Sequence, residues 1–459
     1  MKGEGHIDIL ELEAQYCSYG DTVHYVDPAK KFVASAGGFL FDDDDKPYLD
    51  LQMQYSAANL GYRNSRLNKA LDDQLQSLPQ LDGKYREEHR ILLEEKLSLL
   101  TEQRFGIKGR VYFSVGGAGA IEESLRLVRK ATGKNFHFAF MGGYHGRTLG
   151  ATAITSSYRY RRRYGHFGDR AQFVPYPYCF RCFYELKRED CGLYCLKQFE
   201  KLFDTEYYSF WDSKAGECEL GALYMEPIQG TGGYVIPPKE YFVGLKKILE
   251  QRKILLVDDE VQMGFFRTGK FWAIEHLDIA PDIIVFGKAL TNGLNPLSGL
   301  WIREDLIVRS DWRPADSSVS PQGAAVALEV LRMFEERDFA SGVEQKGVYF
   351  LSCLRRLKER YPHIIGDVDG LGLALRIEIC QGKDQQPDPD LTNRIFHEGL
   401  KGDLEAEGSV YGLVLDIGGY HKNVFTLAPY LEITYQEIDL GIELLDQLFG
   451  RFERPAEAF

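Results

Sequence analysis

Leu255-Leu-Val-Asp-Asp-Glu-Val-Gln-Met263, continued to Phe286-Gly-Lys-Ala289, decides how this chain is read. Leu255 to Val257 have the unbroken apolar character of a short buried strand, with Asp258, Asp259 and Glu260 at its carboxyl end. Asp282-Ile-Ile-Val-Phe286 reads as a second such strand and ends at Gly287-Lys288. Two buried strands that each stop at a charged group point to a site along the carboxyl edge of an open α/β sheet. A helix-capping aspartate and a surface lysine would use the same residue types. The surrounding sequence has to decide between them.

An acid and a lysine on one sheet edge share a chemistry. A lysine amine can form a Schiff base with pyridoxal phosphate, and a carboxylate can keep the cofactor's pyridine nitrogen protonated. Asp259-Glu260-Val261-Gln262, Gly264-Phe-Phe-Arg-Thr-Gly-Lys-Phe-Trp-Ala273, Pro281-Asp282-Ile283 and Lys288 follow one another in an order and spacing that resembles the class III pyridoxal-phosphate aminotransferases. These are enzymes of the ornithine, acetylornithine and 4-aminobutyrate type. The resemblance implies that Lys288 carries the cofactor and Asp259 pairs with its pyridinium. Val261 would pack on one ring face, and Gln262 would reach the ring hydroxyl.

The chain has 459 residues, 44% of them hydrophobic, with a net charge of −13. An acidic balance argues against a nucleic-acid binder. The amino terminus shows no apolar segment of signal-peptide length, and no run approaches the roughly 18 apolar residues of a membrane helix. Eight cysteines in a chain this long do not suggest a disulfide scaffold, so a cytoplasmic location is expected.

Working outward, Phe39-Leu-Phe41 and Tyr48-Leu-Asp-Leu51 read as a hairpin around an acidic turn, Asp42 to Lys46. Tyr48-Leu49-Asp50 and Asn59-Leu60-Gly61-Tyr62 resemble the family's entry segment, but Gln52-Met-Gln-Tyr-Ser56 replaces its small, glycine-rich stretch. Residues 65–104 read as two amphipathic helices. Arg110-Val-Tyr-Phe-Ser114 is a strand whose glycine-rich continuation feeds a helix, an arrangement that leaves backbone amides free for an anion. By resemblance, Gly116, Gly117 and Ala118 cradle the cofactor phosphate without the usual hydroxyl. Tyr144-His145-Gly146-Arg147-Thr148 also matches, so Tyr144 would stack on the ring. His145 would contact the cofactor or sit packed and hydrogen-bonded behind it. The basic run Tyr158 to Arg163 reads as a solvated or subunit-contact segment.

Cys179-Phe-Arg-Cys182 and Cys191-Gly-Leu-Tyr-Cys195 place two thiol pairs in one short loop. Reduced thiols, disulfides and a structural zinc or iron–sulfur site all stay open; a metal held by all four would leave no position for substrate. Leu220 to Met225 is another buried strand, running up to Glu226, whose Glu-Pro-x-Gln-Gly segment resembles one that lies near substrate in the family. The family's phosphate-binding threonine, which reaches a neighbouring subunit, is met here by Asp316-Ser-Ser-Val-Ser-Pro321, with Ser317 and Ser318 as donors. Two arginines of the family pattern are replaced, by Asp369 and by Thr426. In relatives the second grips a substrate carboxylate, which Thr426 cannot do; Arg376 and Arg63 are the candidate substitutes.

The resemblance implies pyridoxal-phosphate fold type I. A large α/β domain with a mostly parallel seven-stranded sheet would span 61–312, and a small α+β domain would join 313–459 to the segment 1–60. It further implies a homodimer with interface sites, while charge and hydropathy lead to the expectation of no nucleic-acid partner and no membrane. The expected reaction is transfer of an amino group from an amine to a keto or aldehyde acceptor, with Lys288, Asp259 and Glu226 catalytic. Loss of the carboxylate arginine hints at a terminal amine, diamine or amino sugar, with glutamate as co-donor. A racemase or epimerase on the same scaffold is the alternative, and a non-catalytic metal-binding protein a remote one.

Overall fold

A computed structural model describes residues 9–17, 30–165, 167–204, 207, 210–307, 320–382 and 384–453. Its centre is a seven-stranded sheet in the order Gly109–Ser114, Ser298–Arg303, Ile283–Phe286, Leu255–Asp259, Ala222–Met225, Phe136–Phe140, Arg170–Val174. Ser298–Arg303 runs antiparallel to both neighbours and every other pairing is parallel. The mostly parallel seven-stranded α/β sheet expected for fold type I is therefore the sheet that forms.

Its central strands are apolar without alternation because both faces are covered. Val257, Ile283 and Val285 pack with Ile121, Leu125 and Val128 of helix Gly117–Thr132. Their neighbours Leu256, Ile284 and Phe286 face the other way, into the core with Phe242, Leu245 and Leu249 of helix Lys239–Gln251. The period of two along a strand sends alternate residues into different layers. All six parallel-running strands, Gly109–Ser114 included, end on the same edge, where the charged residues lie.

The amino-terminal hairpin forms between Phe39–Asp42 and Pro47–Asp50. Pro47–Asp50 also pairs in parallel with Ser409–Val414, so the beginning and the end of the chain share a sheet. A second C-terminal sheet, Ile365–Leu371, Ala374–Gln381, Val424–Leu427 and Asp416–Gly418, is antiparallel throughout. The two expected amphipathic helices are Ser65–Ser77, capped by Asn64, and Glu88–Phe105, capped by Glu87 and closed by Gly106 at φ 67°. The boundary expected at 312/313, together with Asp316, Ser317 and Ser318, lies outside the described residues.

Candidate active site

The sheet edge gathers the charged residues of four loops. Asp259 ends its strand with only 6% of its surface exposed. One oxygen accepts the Val261 backbone amide at 3.1 Å, and the other lies 2.8 Å from His145 Nδ1. The His145 backbone amide donates to Thr155 Oγ1, whose hydroxyl donates to the Gly146 carbonyl. Burial disfavours the charged imidazole, yet the Asp259 hydrogen bond and the charges of Asp259 and Glu226 outweigh it and raise the His145 pKa. His145 thus sits behind Asp259, with its Nε2 buried and without a partner.

Lys288 follows the extended Gly287, where a Cβ would fall 2.3 Å from Ser298 Oγ. Lys288 itself adopts φ 42°, a left-handed conformation that costs a side-chain-bearing residue energy and that clusters at functional sites. Its Nζ donates to Gln262 Oε1 at 3.0 Å and lies 5.8 Å from the centre of the Tyr55 ring. Burial is the largest influence on this amine and lowers its pKa to about 8, against the opposing charges of Asp259, Glu226 and Asp416. An amine with that pKa is partly neutral near pH 7 and available as a nucleophile.

The anion end is built from small residues. Gly116 caps helix Gly117–Thr132 with no side-chain hydrogen bond, and the space where its Cβ would stand is open. Free amides at the head of a long helix favour a phosphate. Gly117 approaches Val261 so closely that a Cβ would meet Cγ1 at 3.1 Å, and Ala118 fills the equivalent space at Gly146. Gly116, Gly117, Ala118, Tyr144, His145 and Val261 therefore line one continuous wall with Asp259.

Both oxygens of Glu226 accept backbone amides, from Tyr144 at 2.9 Å and from Gly230 at 2.8 Å. The carboxylate joins the two loops. Burial, with Asp259 nearby and His145 opposing, pushes its pKa up to about 7. The Tyr144 ring meets Tyr160 edge to face at 5.3 Å.

Several residues of the site escape a linear reading. The Gln262 amide nitrogen donates to Tyr234 Oη at 2.9 Å, and that hydroxyl is 3.3 Å from Ser56 Oγ. The signal was the adjacent Gly232-Gly233 turn, since Gly233 at φ 102° packs on Gly419 and aims the next residue inward. Met53, Gln54, Tyr55 and Ser56 all have φ between 47° and 65°. The segment that replaces the family's small residues is thus a left-handed turn, normally disfavoured by about 1–2 kcal/mol per residue. Asp50 anchors it by accepting the Gln52 and Met53 amides.

Of the two arginines considered as a carboxylate clamp, one is committed to other partners and one is exposed on this chain. Arg376 is 1% exposed and is tied to Glu378 and the Tyr178 hydroxyl, while Arg63 is exposed. Thr426 instead donates to Asp416 at 2.7 Å.

All eight cysteines are free thiols. Cys179, Cys182, Cys191 and Cys195 line one cavity of about 30 Å³. Four thiolates around zinc would stand about 3.8 Å from one another. Among the described residues only Asp42, Asp43 and Asp44 bring three ligand atoms within 4.8 Å. As arranged, the four thiols do not bring three sulfurs to the mutual spacing of a mononuclear zinc site.

Pyridoxal phosphate does fit: an open helix head for its phosphate, a buried acid for its nitrogen and a partly neutral lysine for its aldehyde. A family model described as "Aminotransferase class-III" matches residues 24–449. An alanine/serine racemase of Pyrococcus horikoshii is 31% identical over 97% of this chain and 92% of its own length. A diaminobutyrate–2-oxoglutarate aminotransferase of Haemophilus influenzae is 29% identical over 91% and 89%. An amine transaminase from an uncultivated Pseudomonas species, solved with pyridoxal phosphate bound, superposes with a TM-score of 0.81 at 26% identity, covering 92% of this chain and 95% of that one. The chain belongs to the class III aminotransferase family and is a pyridoxal-phosphate-dependent enzyme of that kind. Its substrates are small-molecule amines and carbonyl compounds, and no helix among the described residues is long and apolar enough to cross a membrane.

Proposed function

We propose that the protein moves an amino group from an amine without a nearby carboxylate, such as a diamine or amino sugar, to a carbonyl acceptor, with glutamate as co-donor. The observation that carries this reading is the partly neutral Lys288 held 3.0 Å from Gln262, on the sheet edge that also carries the buried Asp259–His145 pair. When bound, pyridoxal phosphate supplies the electron sink that makes a proton on the amine's carbon removable. Asp259 would keep the pyridine nitrogen protonated, with His145 orienting Asp259. Lys288 Nζ would hold the cofactor through its aldehyde and carry the proton as base and acid. Gly116, Gly117 and Ala118 would offer backbone amides to the phosphate, with Ser317 and Ser318 as further donors. Val261 and Tyr144 would flank the ring, and Gln262 would serve its hydroxyl. Glu226 positions the loop that carries Tyr144. Replacement of a substrate-gripping arginine by Thr426 supports the choice of donor.

The test mixes cofactor-loaded protein with single amines: glutamate, alanine, ornithine, 4-aminobutyrate, a diamine and an amino sugar. Conversion of the cofactor band to that of pyridoxamine phosphate, without a carbonyl acceptor, is the expected result. Racemisation is the second reading, favoured by the 31% identity to the Pyrococcus enzyme. Deuterium entering the recovered amine without net amino transfer would establish it and overturn the first.

The same reading includes a cytoplasmic homodimer with sites at its interface, a large unit over 61–312 and a small one formed by 1–60 and 313–459. Eight free cysteines agree with a reducing compartment. The four-cysteine loop enters as reduced thiols; one equivalent of zinc or iron in the purified protein would reverse that.

A further inference from the structure

The C-terminal sheet carries an acid to the substrate side of the site. Asp416–Gly418 pairs antiparallel with Val424–Leu427, and the register sets Asp416 opposite Thr426. The Thr426 hydroxyl donates to Asp416 Oδ2 at 2.7 Å. Because Pro47–Asp50 runs parallel to Ser409–Val414, the residues after Asp50 emerge beside those after Val414. The Gln52 side chain accordingly lies against the Asp416 carboxylate. Tyr55, from the same left-handed turn, stands 5.8 Å from Lys288 Nζ and feels the Asp416 charge. Asp416 therefore stands near enough to the reactive lysine for the two charges to act on one another.

Its partners there are neutral: a hydroxyl and an amide. Lys422 and Lys288 act on Asp416 through their charges, but it forms an ion pair with neither among the described residues. Asp50, the other acid that feels it, is already held by Tyr62 at 2.6 Å and by two backbone amides. Burial pushes the Asp416 carboxyl above the usual carboxylate range, against Thr426, Lys422, Gln52 and Lys288, so a cationic group brought beside it would favour its charged form. A ligand carboxylate at the same place would meet the like charge of Asp416, with Lys422 as the neighbouring cation.

We infer that Asp416 is a specificity-determining residue that receives a second ammonium group of the amine donor, so that diamines and polyamines are the donor class. The inference rests on the proposed transamination and assigns its donor. If Asp416 served only as an acceptor for Thr426, asparagine would replace it without consequence for substrate choice.

The experiment compares holoenzyme and Asp416→Asn with 1,4-diaminobutane, 1-aminobutane and 4-aminobutanoate, by conversion of the cofactor band and by calorimetric binding. The wild type should prefer the diamine to the monoamine. Asp416→Asn should reduce that preference about 10- to 100-fold, chiefly in KM, and Asp416→Glu should retain part of it. An unchanged diamine-to-monoamine ratio in the asparagine variant, or a wild type that prefers 4-aminobutanoate, overturns the assignment. If no amine converts the cofactor, the transamination reading fails on its own, and the calorimetric ratio still decides Asp416.

Discussion

At the cofactor end of the cavity, Asp259, Glu226 and Lys288 stand at the ends of three adjacent strands of one sheet, and His145 follows a fourth. At the proposed substrate end, Gln52, Tyr55, Asp416 and Thr426 come from the amino-terminal turn and from two strands near the carboxyl terminus. In the first group His145 and Asp259 are hydrogen-bonded to each other, and Glu226 and Lys288 are held by residues of the adjoining loops. The second is assembled by pairing between segments that lie hundreds of residues apart in the chain. The difference teaches where each kind of chemistry is free to vary. Replacing a strand-end group should remove the shared chemistry, whereas changing a residue on the outer turn should chiefly alter what the cavity accepts.

The largest effect that would test this division is at the cofactor end. Lys288→Ala should lose turnover by roughly 10³-fold or more, since it removes both the attachment point and the proton carrier. Borohydride reduction should then fail to fix the cofactor to the chain. Retained full turnover would break the comparison at its firmer side. Asp259→Asn should fold normally and lower kcat by about 10²- to 10³-fold, and the His145 proton affinity should fall, read by imidazole titration, because its hydrogen-bonded anion is gone.

Arg267 ties the two ends together. It is fully buried and donates to the Leu373 carbonyl at 3.1 Å, to that of Pro429 and to the Asn59 side chain. Arg267→Met would leave those acceptors unpaired, at a cost of roughly 3 kcal/mol. A lowered thermal midpoint is expected, with the substrate end losing order first. An unchanged midpoint would mean that the amino- and carboxyl-terminal segments hold themselves in place.

The reactivity of Lys288 gives a pH test. Burial lowers its pKa to about 8 while Asp259, Glu226 and Asp416 oppose that shift. The amine is neutral above this value, so the rate of cofactor attachment should rise with pH and level off beyond about 8. Removing an opposing negative charge should move the midpoint downward, in Asp259→Asn and, by less, in Asp416→Asn. An upward or absent shift in the second variant would mean that Asp416 does not face the lysine.

How much of this was legible in the chain follows the same division. Leu255–Asp259 and Ile283–Phe286 were readable as strands because burial on both faces leaves an unbroken apolar run. The motif around Lys288 is continuous, so its spacing survives in sequence. Glu226 was readable as a site residue, but its two backbone partners were not, since the loops at 144 and 230 meet only in space. Asp416 left no local signal. Its meaning depends on the register with Thr426 and on a parallel pairing with a strand near the other end of the chain. The cysteine pairs show a third case: a suggestive spacing whose four members do meet around one cavity, but without three sulfurs at the spacing of a mononuclear zinc site.

The smallest predicted effect concerns the turn that joins the two ends. Gln54 is exposed at φ 53°, next to three other residues of the same hand. Gln54→Gly removes a left-handed penalty of about 1–2 kcal/mol. It also frees the unfolded chain, which takes back roughly 0.5–1 kcal/mol. The net gain should lie between about 0 and 1.5 kcal/mol, seen as a slightly higher thermal midpoint. The informative result is the donor preference measured alongside it. If the turn is held by Asp50 and the buried Met53, the diamine preference persists in a slightly steadier protein. If the glycine variant loses that preference while gaining stability, the strained side chains themselves hold Tyr55 and Gln52 against the cavity, and strain at the outer turn is part of substrate choice.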